Sequence, residues 1–190
     1  MYLIFKRIFD LVFATLAIVS LLPLFLLISL AIKLEDHGSV IHWSDRVGRE
    51  KKIFTMPKFR TMSMNSPQVA THLIDRPDEL ITRVGFMLRR FSIDELPQLW
   101  SILIGDMSFV GPRPALFNQG DLISIREDRS INSLKPGLTG WAQVNGRDDL
   151  SIEEKVRFDG EYKSKASILF DIEIIFKTFK IVITRIGVKH

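Results

Sequence analysis

Leu11 to Ile32 is an uncharged, strongly apolar run bounded by Asp10 and Lys33, and it constrains the fold more than any other feature. As a helix, its 22 residues rise about 33 Å at 1.5 Å each, enough to cross a bilayer core. A secretory signal would be followed by a small-residue cleavage site. Lys33-Leu34-Glu35-Asp36-His37 offers none, so the segment is expected to stay in the mature protein. Pro23 falls mid-run, where it removes a backbone hydrogen bond and predicts a kink or break, with Ser20 placed to satisfy a freed carbonyl. Both flanks are basic: Lys6 and Arg7 before; Lys33, Arg46, Arg49, Lys51 and Lys52 after. Because Lys and Arg stay on the cytoplasmic side, both ends are wanted there. The expectation is a re-entrant helix-break-helix over residues 1–33 and one further domain over 34–190; a kinked spanning helix is the alternative. No second long apolar run follows, which argues against a multi-pass transporter.

The chain has no Cys, excluding a disulfide framework or thiolate metal site. Its formal net charge is +4, a balance that suits nucleic acid, an anionic membrane surface or a phosphorylated substrate. No helix-turn-helix, RRM or zinc pattern accompanies that charge, so no nucleic-acid partner is expected.

Ser39 to Met62 reads as a β-hairpin turning at Gly48, with Pro57 demoting the return strand to an edge or a bulge. Alternation puts Lys58 and Arg60 on one face, where they could grip a diphosphate. Residues 63–78 read as an irregular loop. Leu80 to Phe91 reads as a short helix with Ile81, Val84, Met87 and Leu88 at apolar spacing and Arg83, Arg89 and Arg90 off that stripe. Ser92 and Glu95 have capping-box spacing, predicting a helix from Ile93 to about Ile104 that ends at Gly105. Asp94 then lies in the first turn, where a helix field lowers a carboxylate pKa and attracts phosphate. On that segment alone, a pair of N-terminal dipole residues is the commoner meaning.

Arg113 stands between Pro112 and Pro114, on stiffened backbone suited to holding phosphate. Lys135 to Arg147 is a second glycine-rich loop, in which Arg147 adds a cation. Ser151 and Glu154 form another capping-box pair before a helix carrying Asp159 and Tyr162 on one face. Ile168 to Ile186 is a further helix whose apolar face suits the membrane interface or a core.

These pieces together resemble the monotopic phosphoglycosyl transferases, a bacterial sugar-transferase family. The likeness runs through Lys6-Arg7 with Asp10, Lys58 to Met62, Ser92 to Leu99, Gly105 to Ser108, Gly111 to Pro114, Lys135 to Arg147, and Asp159 with Tyr162. It implies an α+β protein: a re-entrant membrane helix, then a small, mostly helical catalytic domain with a short β-hairpin and interfacial amphipathic helices. The domain would sit on the cytoplasmic face of the bacterial inner membrane. The resemblance implies an Asp-Glu dyad, Asp94 and Glu95, that also holds Mg2+. Asp94 would attack a UDP-sugar, release UMP and pass the sugar-1-phosphate to a polyprenyl phosphate. Lys58, Arg60, Arg90, Arg113, Gln143, Arg147, Asp159 and Tyr162 are the expected substrate-site residues. Membrane lipids, or a second copy in a homodimer, would meet the exposed apolar faces. The rival class is a membrane-tethered scaffold in which the dyad is only a helix cap. The sequence does not name the sugar.

Overall fold

A computed structural model describes residues 2–64, 80–146 and 149–184. The apolar run lies within one long helix, α1 (Tyr2–Glu35). At 34 residues it is about 51 Å long. Helical backbone continues through Pro23, so of the expected kink or break, the break is not seen. Within α1 the hydroxyls that return to carbonyls one turn back are those of Thr15 and Ser29, not Ser20. Asp10, Ala14, Ile28 and Ile32 form its buried face, while Leu16, Val19, Leu22, Leu26 and Leu30 are exposed on the other.

The hairpin follows as β1 (Ile41–Val47) and β2 (Ile53–Phe59), antiparallel with His42 opposite Lys58 and Trp43 opposite Pro57. A third short strand, β4 (Ala115–Leu116), pairs with β1, leaving β2 at the edge. Pro57 therefore costs no central ladder bond. Next comes α2 (Arg83–Arg90), whose N-cap Thr82 accepts from Gly85 N. It buries Gly85 and Leu88 but leaves Phe86 and Met87 exposed. Gly85 lies against the Thr61 backbone so closely that a Cβ would come within 2.0 Å of its carbonyl oxygen.

A 3-10 segment (Ile93–Gln98) runs into α3 (Leu99–Ile104), which stops at Gly105 with φ +99. Then come β3 (Ser108–Val110), α4 (Gly120–Asp128), and β5 (Gly137–Thr139), parallel to β3. Three helices close the described chain: α5 (Trp141–Val144), α6 (Ile152–Lys165) and α7 (Ile168–Thr184). The fold is thus mixed helix and sheet around one long apolar helix.

Two apolar clusters lie along α1. Ala14 packs with Met56, Leu99, Ile102 and Met107; Ile28 and Ile32 pack with Phe59 and Leu88. Polar ties sit at both ends. Near the start, Lys6 pairs with Asp171 at 2.6 Å and Tyr2 donates to the same carboxylate. Arg7 donates to the Ile102 and Leu103 carbonyls, each at 2.7 Å, placing a cation on the negative end of α3. Buried Asp10 accepts from Ser108 Oγ and Phe109 N. At the far end, Glu35 accepts from the Arg83 and Val84 amides, capping α2. Arg60 donates to the Asp36 carbonyl at 2.6 Å.

Candidate active site

The charges gather where β2 meets the 3-10 segment. Lys58 of β2 donates to Glu95 Oε1 at 2.8 Å, and Arg113 donates to the same oxygen at 3.2 Å. The Glu95 side chain is only 13% exposed, so it is held between two cations in a largely dry place.

This arrangement overturns the expected capping box. Ser92 adopts left-handed backbone (φ 55, ψ 23) and makes no side-chain cap bond. The Glu95 carboxylate goes instead to Lys58 and Arg113, so two cations take the place of one neutral amide. Pro97 sits inside the segment and has no N–H to give. The first turn therefore winds as 3-10, and the α-helix begins only at Leu99.

Asp94 makes no hydrogen bond or ion pair among the described residues. Burial first, and the adjacent Glu95 second, push its carboxyl above the usual carboxylate range, against the pull of Lys58, Arg89 and Arg113. The expected lowering by a helix field is thus reversed. Six residues of 3-10 helix make a weak dipole, and desolvation outweighs it.

Two neighbours were not singled out as site residues by their sequence positions. Arg46, on β1, is pushed down to about 10 by burial and by Arg113, with Glu95 opposing. Arg89 donates to Thr61 Oγ1 and feels Asp94. Alternation along β1 alone would have placed Arg46 on the face of His42, but only the pairing with β2 carries that face to Glu95. His42 is pushed below its usual range by burial, Lys58 and Arg46, which favours its neutral form.

Most of the other expected site residues have partners of their own or are buried. Arg60 is buried and serves the end of α1 through Asp36. Arg90 ends α2, half-buried. Asp159 is 1% exposed and accepts two bonds from Arg126, at 3.0 and 2.7 Å. Tyr162 is also buried, donating to Asp171 at 2.7 Å and lying 3.2 Å from both the Val110 carbonyl and the Tyr2 hydroxyl. Gln143 is buried with both side-chain polar atoms unpartnered among the described residues. Arg147 lies outside the described residues, as does most of the 63–78 loop. The structure thus brings Asp94, Glu95, Lys58 and Arg113 together, while Arg60, Asp159 and Tyr162 are buried in contacts with Asp36, Arg126 and Asp171.

Among the described residues no cluster of three or more His, Asp or Glu side chains forms a metal cage. Asp94 and Glu95 supply hard carboxylate oxygens. That donor set suits Mg2+, which is commonly held by one or two carboxylates plus substrate phosphates.

Residues 1–185 match the family model for bacterial sugar transferases. The chain is 38% identical to the exopolysaccharide production protein ExoY of Sinorhizobium fredii, over 91% of this chain and 83% of that protein. It is 42% identical to the undecaprenyl-phosphate glucose phosphotransferase of Komagataeibacter xylinus, over 92% of this chain. It is 41% identical to the UDP-glucose:undecaprenyl-phosphate glucose-1-phosphate transferase of Escherichia coli, over 91% of this chain. It spans only 35% and 39% of the lengths of those two proteins.

Proposed function

The chain belongs to the bacterial sugar transferase family, and on that premise we propose that it moves a sugar-1-phosphate from a UDP-sugar to undecaprenyl phosphate through a covalent adduct on Asp94. An Asp94 carboxylate oxygen bonds to the β-phosphorus of the donor. The bond from that phosphorus to the bridging oxygen breaks, and the oxygen leaves with UMP. A lipid-phosphate oxygen then attacks the same phosphorus, freeing Asp94 and leaving the sugar on a lipid diphosphate.

One observation carries this reading. Asp94 is a carboxylate without hydrogen bond or ion pair among the described residues, set beside a carboxylate that already holds two cations. A nucleophile must keep its lone pairs available, while an anionic donor needs fixed positive charge nearby. Lys58, Arg113, Arg46 and Arg89 provide that charge, and Glu95 fixes Lys58 and Arg113 in place. Mg2+, when bound by Asp94 and Glu95 with the donor's phosphates, would neutralise diphosphate charge. The raised pKa of Asp94 is the cost of its dry position, and nearby cations favour the ionised form on which attack depends.

The polar ties at both ends of α1 support a re-entrant or in-plane seating at the cytoplasmic face of the inner membrane. Tyr2 to Asp10 and Glu35 to Asp36 contact the same folded body, so a straight crossing would tear one set apart. Exposed Phe86 and Met87 on α2, and Leu169, Phe176 and Phe179 on α7, suit a headgroup-level rim.

The test uses detergent-solubilised protein with Mg2+, undecaprenyl phosphate and a panel of UDP-sugars. Wild type should release UMP with at least one donor and carry a phosphosugar on the peptide containing Asp94. Asp94→Asn should lose roughly 10^4-fold or more in rate. Equal UMP release by both proteins would end the covalent reading.

A further inference from the structure

Arg113 meets Glu95 from a loop whose position is itself held by a buried residue on another element. The carbonyls on either side of the Arg113 Cα are both pinned: that of Pro112 accepts from Gly137 N at 2.9 Å, and that of Arg113 accepts from Arg126 Nη1 at 3.0 Å. Arg126 belongs to α4 and is 6% exposed. Its Nε and Nη2 both donate to Asp159 Oδ2. A guanidinium so buried needs a counter-ion, and Asp159 on α6 supplies it. The two flanking prolines fix φ at their own positions, which stiffens the backbone on either side of Arg113.

We propose that Arg126, charge-balanced by Asp159, is a positioning residue: it holds the Arg113 backbone so that the Arg113 guanidinium rests on Glu95 beside Asp94. The functional part of this rests on the transfer reading above. It also gives Asp159 a purpose suited to its burial, as the counter-ion of a scaffold arginine rather than a group that touches substrate. A shift of an ångström in a phosphate-gripping fork is enough to slow a reaction that depends on orientation.

The variants are Arg126→Lys, which keeps charge but loses the fork, and the neutral pair Arg126→Gln with Asp159→Asn, which leaves no charge unpaired if the first fails to fold. Hydrogen exchange is read at the 111–116 segment. Transfer rate is read in the wild-type and Arg113→Ala backgrounds. Removing the fork should speed exchange at that segment and slow transfer tenfold or more in the wild-type background, but less than twofold once Arg113 is Ala. Unchanged exchange in both variants overturns the proposal. So does an equal slowing in the two backgrounds, because Arg126 would then act elsewhere. If wild type transfers no sugar, the functional reading fails by itself, and exchange still decides whether Arg126 holds the loop.

Discussion

The chain writes Ser-x-x-Glu twice before a helical stretch, and the two copies fold differently. At Ser151 and Glu154 the reciprocal cap forms: the Ser151 hydroxyl accepts from Glu154 N at 3.2 Å, and the Glu154 carboxylate accepts from Ser151 N at 2.8 Å. At Ser92 and Glu95 it does not. There Ser92 turns left-handed, and the glutamate crosses to Lys58 and Arg113. The acids just inside each pair, Glu153 and Asp94, diverge as well. Exposed Glu153 is held below its ordinary range by its own backbone N–H and by Ser151. Asp94 is pushed above its range by burial and Glu95. A local pattern decides the outcome where solvent is the only competitor. It loses where long-range charges reach the same carboxylate, and such lapses gather at working sites.

The strongest way to break this contrast is Glu95→Gln. It should lower the transfer rate roughly 100-fold or more by releasing Lys58 and Arg113, while Glu154→Gln leaves the rate unchanged; equal effects would make the two sites equivalent. The pH profile sharpens the comparison next. On the covalent reading Asp94 attacks as a carboxylate, so wild-type activity should fall with acid at a pH above that of an ordinary aspartate. Glu95→Gln removes a repelling charge, so its residual activity should fall at lower pH; a profile that does not move would sink the electrostatic account. Stability runs the other way. The folded pKa of Asp94 lies above the unfolded value of about 3.9, so ionised Asp94 costs stability above that pH, and the cost fades as pH falls through the folded value. Asp94→Asn should therefore unfold no more easily than wild type near neutrality. The smallest effects belong to the serines. Ser151→Ala should cost about 1 kcal/mol in denaturant unfolding with no change in rate. Ser92→Gly should cost nothing, because its hydroxyl caps nothing and glycine relieves the left-handed backbone. A loss of about 1 kcal/mol there would mean that a cap exists.

Much of the fold was legible because it follows from neighbours in the sequence. Pro57 placed β2 at an edge, Gly105 ended a helix, and Ser151 with Glu154 opened one. Arg113 and Lys58 were legible as anion-gripping candidates from residue type and backbone stiffness. What escaped depends on distant partners. Nothing near Glu95 in the sequence announces Lys58, 37 positions away. The Asp94 shift comes chiefly from packing around it, which no dipole argument contains. Arg126 reads as one more helix arginine until Asp159, 33 positions on, is seen beside it. Pro23 was expected to kink or break α1; helical backbone runs on through it, with Ala14 on one side and Ile28 and Ile32 on the other packed by the domain.

The stapling of α1 has a bearing on biosynthesis. The groups that fix the first turns of the helix all follow it in the chain: Ile102 and Leu103 for Arg7, Ser108 and Phe109 for Asp10, and Asp171 for Lys6. While the ribosome is still short of Asp171, the start of α1 has only part of its polar anchorage. The start of this helix therefore gains its full polar anchorage only once the segment holding Asp171 has been made and closes over it.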